Sequence, residues 1–306
     1  MQPGLAAILH PHSQSEFLNL HWPKVPFVVH GLRETLAPLT QILCLQSLDA
    51  LLGAFPYPIQ AHLPDVSDES SSVDVSSGDA RKLFANRMGL LFNRVQRISP
   101  LLTTWLQALQ ADLGLPAQTD ARCLVYATPD GKGTAPHFDQ NINFVLQLQG
   151  TKRWRLAPNP HVENPTQRYT LGQPLDPELA AYAELPLPKE MPADAQEIVL
   201  KPGSLLFVPR GFWHSTEAEG EALALNFTFN QPTWIDLFTA ALRSRLALSA
   251  DWRELADGVA SRDPERRADA EQMLDALLVE LTEDLPHWRA ADILAATEGD
   301  AHPSLD

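Results

Sequence analysis

Alternation of apolar and polar residues is the strongest structural signal in the middle of the chain. Between residues 143 and 149, Phe144, Leu146 and Leu148 alternate with polar or smaller neighbours, which is the period of a half-buried strand. Gly150 favours a turn, after which residues 151–156 are predicted to return as a hairpin partner. A second alternation spans residues 223–229. The strands and turns between residues 121 and 230 together predict a double-stranded β-helix, the jelly-roll barrel of cupins.

Helical spacing dominates both ends of the chain. Residues 48–52 read as a short helix, and Ser99-Pro100 opens a longer one, with the serine as its cap and apolar residues at three- and four-residue spacing up to Leu113. A short strand is expected at Val28-Val29. From Thr233 onward the spacing is helical again, and this apolar stripe either mediates a homodimer, which we favour, or covers one end of the barrel.

These patterns predict an α+β fold with a mainly β core, divided into three regions. Residues 1–120 form a mixed segment that packs on the barrel, residues 121–232 form the barrel, and residues 233–306 form a helical region. Residues 64–78 are rich in Ser and Asp without apolar periodicity and are expected to form a mobile loop. Residues 158–192 are a Pro-rich insertion at the barrel mouth and are expected to determine substrate specificity; the insertion carries His161, Tyr169, Asp176 and Tyr182.

Candidate chemistry centres on His137-Phe138-Asp139 and on His214, which follows a predicted strand. Side chains two residues apart on a strand share a face, so His137 and Asp139 can reach one ion. Two imidazoles and one carboxylate are the facial triad of non-haem Fe(II) sites. The other histidines at positions 10, 12, 21, 30, 62, 287 and 302 have no partner at a metal-ligand spacing.

Lys152 is the candidate for anion binding. On a returning strand it could share the inward face with the triad, where a lone cation is costly unless it meets an anion such as a carboxylate. The alternative is a solvated lysine beside Arg153 and Arg155, and the pattern alone does not separate the two.

Composition excludes some classes of function. The chain has 23 Lys and Arg against 38 Asp and Glu, a formal net charge of −15, which would repel a phosphate backbone. Direct nucleic-acid binding is therefore not expected. The two cysteines, Cys44 and Cys123, lack metal-site spacing and fit a reducing compartment. Without a signal-like start or an apolar span, we expect a cytoplasmic protein with no membrane association.

The chain resembles the JmjC oxygenases, and within them the ribosomal-oxygenase branch of cupin-like proteins. The resemblance covers residues 17–234 and rests on several blocks in the same order. These are Phe17-Leu18 with His21-Trp22-Pro23-Lys24-Val25-Pro26-Phe27-Val28-Val29, residues 126–136, Gly150-Thr151-Lys152-Arg153-Trp154-Arg155-Leu156 and Leu200-Lys201-Pro202-Gly203-Ser204-Leu205-Leu206-Phe207-Val208-Pro209-Arg210-Gly211. It implies that the triad binds Fe(II) and that Lys152 holds the distal carboxylate of the cosubstrate 2-oxoglutarate.

Four further residues are candidates for cosubstrate contact, three of them because they match positions in asparaginyl-hydroxylase relatives. Thr134 matches a hydroxyl that shares the distal carboxylate, and Asn143 and Asn226 match amides near the metal-bound end. Tyr126 could add a phenol from the preceding strand. Asn226 lies on the smaller face of its strand, where a purely structural hydrogen bond is the alternative.

The resemblance implies an oxygenase that uses O2 and 2-oxoglutarate to hydroxylate a protein or peptide side chain, releasing succinate and CO2. In that branch a winged helix follows the helical dimerisation region, and residues 233–306 are too few for both, which weakens the transfer of a ribosomal substrate. Three alternatives remain: N-methyl-lysine demethylation, oxidation of a small molecule or natural-product peptide, and a non-catalytic metal-binding cupin.

Overall fold

The computed structural model describes residues 2–63 and 72–299. The described chain separates into two compact units. The first contains residues up to Leu115 together with Asp120–Gln231, and so holds both the predicted N-terminal segment and the predicted barrel. The second contains Pro116–Thr119 together with the residues from Pro232 onward. The division into three regions stays a prediction.

The first unit is built on antiparallel strands, numbered in chain order. Their bounds are β1 Phe27–Val29, β2 Ile59–His62, β3 Ser72–Val75, β4 Gly89–Phe92, β5 Asp120–Thr128, β6 Gly133–Phe138, β7 Ile142–Ala157, β8 Tyr169–Thr170, β9 Gln196–Leu200, β10 Leu205–Val208 and β11 Trp213–Asn230. Its helices are α1 Leu5–Ile8, α2 Gln14–Leu20, α3 Ala37–Thr40, α4 Leu48–Ala54, α5 Ser77–Ala85, α6 Pro100–Asp112 and α7 Pro177–Tyr182. The strand at residues 28–29 and the helix at residues 48–52 are where the sequence predicts them.

Two long strands, β7 and β11, organise the barrel by pairing along almost their whole length. The first half of β7 and the second half of β11 lie between β10 and β5, and their other halves lie between β9 and β6. The same two strands therefore pass through both sheets of the barrel. This arrangement confirms the predicted jelly roll and the α+β fold with a mainly β core.

The apolar faces of the alternating strands pack into one core with the N-terminal helices. Phe144, Phe207, Phe227 and Phe229 are fully buried there, and so is Phe17 of α2. Burial of large apolar side chains is the main source of stability, at roughly 25 cal/mol per Å². The alternation in the sequence thus marks a core face, and its polar partners face the other way.

Gly150 does not form the predicted hairpin turn, because β7 continues through it as one strand. Gly150 has a φ of 66° and lies against β11, where the paired register is interrupted between Glu219 and Leu223. This irregularity reverses which residues face inward. Asn143 and Val145 face the cavity before it, and Lys152 and Trp154 face it afterwards.

Two smaller predictions are also wrong in part. Ser99 is at the N-cap of α6, but its side chain makes no capping hydrogen bond. Of the predicted mobile loop, residues 64–71 lie outside the described residues, whereas Ser72–Val75 forms β3 and α5 begins at Ser77. Its valines alternate with polar residues over four positions, enough to pair with β2. The next residue, Ser76, caps α5 by accepting a hydrogen bond from the Asp79 backbone.

The second unit is helical, with α8 Trp234–Leu246, α9 Pro264–Asp284 and α10 Ala290–Gly299. Thr233 and Asp236 form a capping box at the start of α8. Within the unit, Arg245 of α8 pairs with Asp284 at the end of α9. In the described ranges, no helix combines the length and the apolar character that a bilayer crossing requires.

We expect Gly150→Ala to lower the free energy of unfolding by about 3–5 kcal/mol. A Cβ at this position would lie 2.1 Å from the Glu221 carbonyl oxygen, and the backbone is left-handed. Gly220→Ala is the matched control, since Gly220 has a φ of 75° with open space around it and should cost only about 1–2 kcal/mol. Urea unfolding measures both, and equal costs would show that β11 does not restrict this position.

Candidate metal centre

Pairing between β6 and β11 brings the predicted triad together. His137 on β6 and His214 on β11 are directly opposite in the register, and their ring centroids are 4.0 Å apart. Asp139 follows β6 immediately, and its Oδ2 is 3.9 Å from His137 Nε2 and 3.6 Å from His214 Nε2. One ligand atom from each residue lies within 4.8 Å of the others. The three side chains can therefore hold a single ion.

The backbone fixes the orientation and tautomer of both imidazoles. His137 Nδ1 is 2.7 Å from the Ala135 carbonyl oxygen, and His214 Nδ1 is 2.9 Å from the Phe212 carbonyl oxygen. A carbonyl can only accept, so each Nδ1 carries a proton, and Nε2 is the nitrogen left to face the shared point. Burial holds the pKa of His214 well below its ordinary value, which keeps that ring neutral.

Asp139 has two differently occupied oxygens. Oδ2 faces the histidines, and Oδ1 accepts a hydrogen bond of 2.8 Å from Arg168 Nη1. Only 15% of the Asp139 side chain is exposed. Burial raises the pKa of this carboxyl, and the nearby His137 and Arg122 oppose the rise. A cation at Oδ2 would offset the cost of keeping the carboxylate ionised.

The triad opens into a cavity of about 560 Å³. All five residues predicted to bind the cosubstrate line this cavity, contributed by four different strands. They are Tyr126, Thr134, Asn143, Lys152 and Asn226.

Lys152 is a buried cation, with 5% of the residue exposed, so it is not the solvated lysine of the alternative reading. Its Nζ is 5.9 Å from the centre of the Tyr126 ring. Among the described residues, no carboxylate is within ion-pair distance of it. Burial lowers the pKa of Lys152 to about 8. A buried cation without a counterion, facing a cavity, fits an anionic ligand.

The polar groups between Lys152 and the triad are also arranged towards the cavity. Thr228 donates a hydrogen bond of 2.7 Å to Asn143 Oδ1, which leaves the Asn143 amide N–H groups for another partner. Asn226 Oδ1 is buried without a hydrogen bond. Thr134 shares a hydrogen bond of 2.9 Å with the Thr216 hydroxyl. Buried polar atoms without partners are rare, so the cavity is suited to a polar ligand.

Sequence reasoning missed several residues of the cavity. Thr216 lies two residues after His214 on β11 and so shares its inward face. The alternation of side chains along a strand could have identified it. Trp154 also lines the cavity, and its ring stacks on that of His214 with the two centroids 5.8 Å apart. His62 lies at the wall although no sequence spacing connects it to the triad. Arg168 belongs to no motif, and only the register of β8 reveals its position.

The insertion contributes part of the cavity wall. Tyr169 and Asp176 line the cavity, as do Gln173 and Leu179. The other two residues singled out from the insertion do not line it: His161 lies against Trp213, and the Tyr182 hydroxyl hydrogen-bonds to Thr166. Residues of the insertion therefore line the cavity, and the role of the insertion in substrate specificity stays a prediction.

Comparison with known proteins agrees with this geometry. A JmjC domain model matches residues 115–237. Over 305 residues the chain is 34% identical to the uncharacterized protein YxbC of Bacillus subtilis, an alignment that covers 98% of this chain and 92% of that protein. The chain belongs to the JmjC family.

More distant relatives of this JmjC protein include ribosomal oxygenases. It is 27% identical to ribosomal oxygenase 1 of Gallus gallus over 81% of this chain and 41% of that protein. It is 28% identical to the bifunctional lysine-specific demethylase and histidyl-hydroxylase NO66 of Drosophila persimilis over 74% of this chain and 31% of that protein. The chain thus spans less than half of each. The resemblance to the ribosomal-oxygenase branch is confirmed.

A solved structure shares the fold. The ribosomal oxygenase YcfD of Escherichia coli, in complex with cobalt and 2-oxoglutarate, superposes with a TM-score of 0.52 at 19% identity, covering 88% of this chain and 67% of that one. Membership of the JmjC family, together with the convergent triad, confirms the predicted enzyme class and cofactors at the level of the family.

The residues present fit these cofactors. Two imidazoles and a carboxylate are the donor set that Fe(II) oxygenase sites use. The buried ammonium of Lys152 and the unpartnered amide of Asn226 lie in the same cavity as the donors. The same cavity therefore offers an anionic ligand both a metal site and a buried cation.

We expect Lys152→Met to stabilise the metal-free protein at pH 7 by about 2–3 kcal/mol. The pKa of Lys152 in the folded chain, about 8, lies below its ordinary value of 10.5. The buried charge thus costs stability in full below pH 8, and the cost disappears as the pH rises above 10.5. Urea unfolding at pH 7 and at higher pH measures the gain. Lys82→Met, at an exposed lysine of α5, is the control, and an equal gain there would contradict the effect of burial.

Proposed function

We propose that this protein is an Fe(II)- and 2-oxoglutarate-dependent oxygenase that hydroxylates a side chain of a protein or peptide. The observation that carries the proposal is one cavity in which the convergent triad and a buried, unpaired lysine occur together. A module that only binds a metal would need the triad but not Lys152 with Thr134 and Asn143.

Bound Fe(II) with 2-oxoglutarate and O2 supplies the oxidation, in which 2-oxoglutarate yields succinate and CO2 and a substrate C–H becomes C–OH. The residues of the chain bind the ion and the cosubstrate and orient them. His137, Asp139 and His214 are proposed to hold the ion, and Lys152 with Thr134 to hold the distal carboxylate. Asn143, Asn226 and Tyr126 are proposed to contact the remainder of the cosubstrate. Close positioning of the reactants accounts for a large part of the rate of such reactions.

The size and the walls of the cavity support a macromolecular substrate. About 560 Å³ is more than a small dicarboxylate fills. Its walls include residues of β2, of β4 and of the insertion, and Tyr169 and Gln173 of the insertion can contact residues that flank the reacting side chain. The similarity of the chain to ribosomal oxygenases also supports a protein substrate. N-methyl-lysine demethylation is a second candidate, because one relative is named a lysine-specific demethylase.

The helical unit is proposed to form a homodimer contact. Trp234, Ile235 and Phe238 of α8 are exposed. Large apolar side chains grouped on one helix are typical of interaction surfaces. The expected cytoplasmic location also remains a prediction.

We expect the Fe(II)-loaded protein to form succinate from 2-oxoglutarate, and a peptide fraction containing the substrate to stimulate it. His137→Ala and Asp139→Ala should abolish this turnover because each removes a ligand, while circular dichroism shows the fold intact. Manganese(II) with 2-oxoglutarate should raise the melting temperature of the parent and not of these variants. Binding without succinate under any peptide condition would favour the metal-binding cupin, and equal turnover by the variants would reject the triad.

Lys152→Ala should raise the KM for 2-oxoglutarate by about 10- to 100-fold, the loss expected for one charge-assisted hydrogen bond. The affinity for manganese(II) alone should change little, because Lys152 is not among the proposed ligands. Initial rates over a range of 2-oxoglutarate concentrations measure this. A parent-like KM would show that another group holds the distal carboxylate.

A further inference from the structure

Arg168 reaches the candidate metal centre from outside the barrel strands. It precedes β8, which pairs with β6 through Thr170 opposite His137 and Tyr169 opposite Phe138. One further step in this antiparallel register places Arg168 opposite Asp139. The insertion and the metal-ligand segment are therefore joined as two paired strands.

The contact divides the two oxygens of Asp139 between two partners. Arg168 Nη1 donates to Oδ1 at 2.8 Å, whereas Oδ2 is the oxygen near both histidine Nε2 atoms. Arg168 Nε is 3.4 Å from the Thr170 hydroxyl, which lies on the same short strand. The Arg168 side chain is 38% exposed and that of Asp139 is 15% exposed, so the contact is at the boundary between the cavity and solvent.

We infer that Arg168 is a positioning residue for the metal centre, which holds Oδ1 so that Asp139 offers only Oδ2 to the ion. A carboxylate that turned both oxygens to the ion would occupy one more coordination position. Hydrogen bonds to the non-coordinating side of a ligand fix its orientation. The inference rests on the proposed metal centre and adds that the insertion controls its geometry.

The contrary role would be a competitor. A guanidinium bound to Asp139 could occupy the carboxylate in place of the ion and leave when the ion binds. The two roles predict opposite effects when Arg168 is removed. If Arg168 is a positioning residue, its loss weakens metal binding; if it is a competitor, its loss strengthens metal binding.

Cobalt(II) titration of the metal-free protein separates these roles. The visible absorption of cobalt(II) reports coordination, and competition with a chelator gives the Kd. For Arg168→Gln we expect a Kd raised by about 10- to 100-fold and a weaker visible band, the sign of a higher coordination number. Arg168→Lys keeps the charge but not the planar fork, so its Kd should lie between those of the parent and Arg168→Gln.

Arg210→Gln is the matched control. Arg210 also binds the insertion, through the carbonyl oxygens of Pro165 and Asn164, and its loss should leave the cobalt(II) Kd and spectrum unchanged. An effect equal to that of Arg168→Gln would assign the change to general loosening of the insertion and overturn the inference. An unchanged or lower Kd for Arg168→Gln would also overturn it. If the parent bound no cobalt(II), the metal centre itself would be rejected.

Discussion

The pairing of β7 with β11 is the constraint on which the rest of the structure depends. These two strands contribute to both sheets, and their register changes near Gly150, so the same strand pair aligns the core aromatics in one half and the candidate site in the other. His214 is on the first half of β11, and Asn226 is on the second. Since a slip by one residue turns every side chain to the opposite face, the buried phenylalanines also secure the inward direction of the polar residues. The stability of the core and the geometry of the site are consequences of the same alignment.

Two charged side chains in the cavity, Asp139 and Lys152, lower the stability of the ligand-free protein. Burial raises the pKa of Asp139 and lowers that of Lys152, so the ionised form of each group is less favourable than it is in water. In the proposed function, a divalent cation near Asp139 and a dicarboxylate near Lys152 would offset both costs together. Their binding would then increase the stability of the folded chain, because ligands that bind only the native state shift the unfolding equilibrium. Charged groups held in place at a cost to stability are a common property of preorganised sites.

Much of this arrangement could be predicted from the sequence because it is local. The alternation of apolar residues predicts the strands, and the spacing of His137 and Asp139 predicts their common face. The sequence predicts Lys152 on that face through a hairpin, which does not form. Lys152 faces inward because the irregularity at Gly150 reverses which residues of β7 point into the cavity. A bulge of this kind depends on the partner strand, which periodicity cannot reveal. Arg168 could not be predicted either, because its position follows from a two-residue strand separated from Asp139 by 29 positions.

The insertion starts and ends on strands that are already paired. Leu156 near the end of β7 is opposite Gln196 at the start of β9, so the chain leaves and re-enters the barrel at neighbouring points. The entropy of closing a loop grows only slowly with its length, and sequence can be added or removed between these points at little cost to the barrel. Outside Arg168, β8 and the buried Val162, Leu179 and Met191, which pack with Phe138 and Trp213, this segment is open to divergence. The fold thereby permits substrate preference to change by exchange of one loop, while the proposed metal ligands stay on or next to β6 and β11.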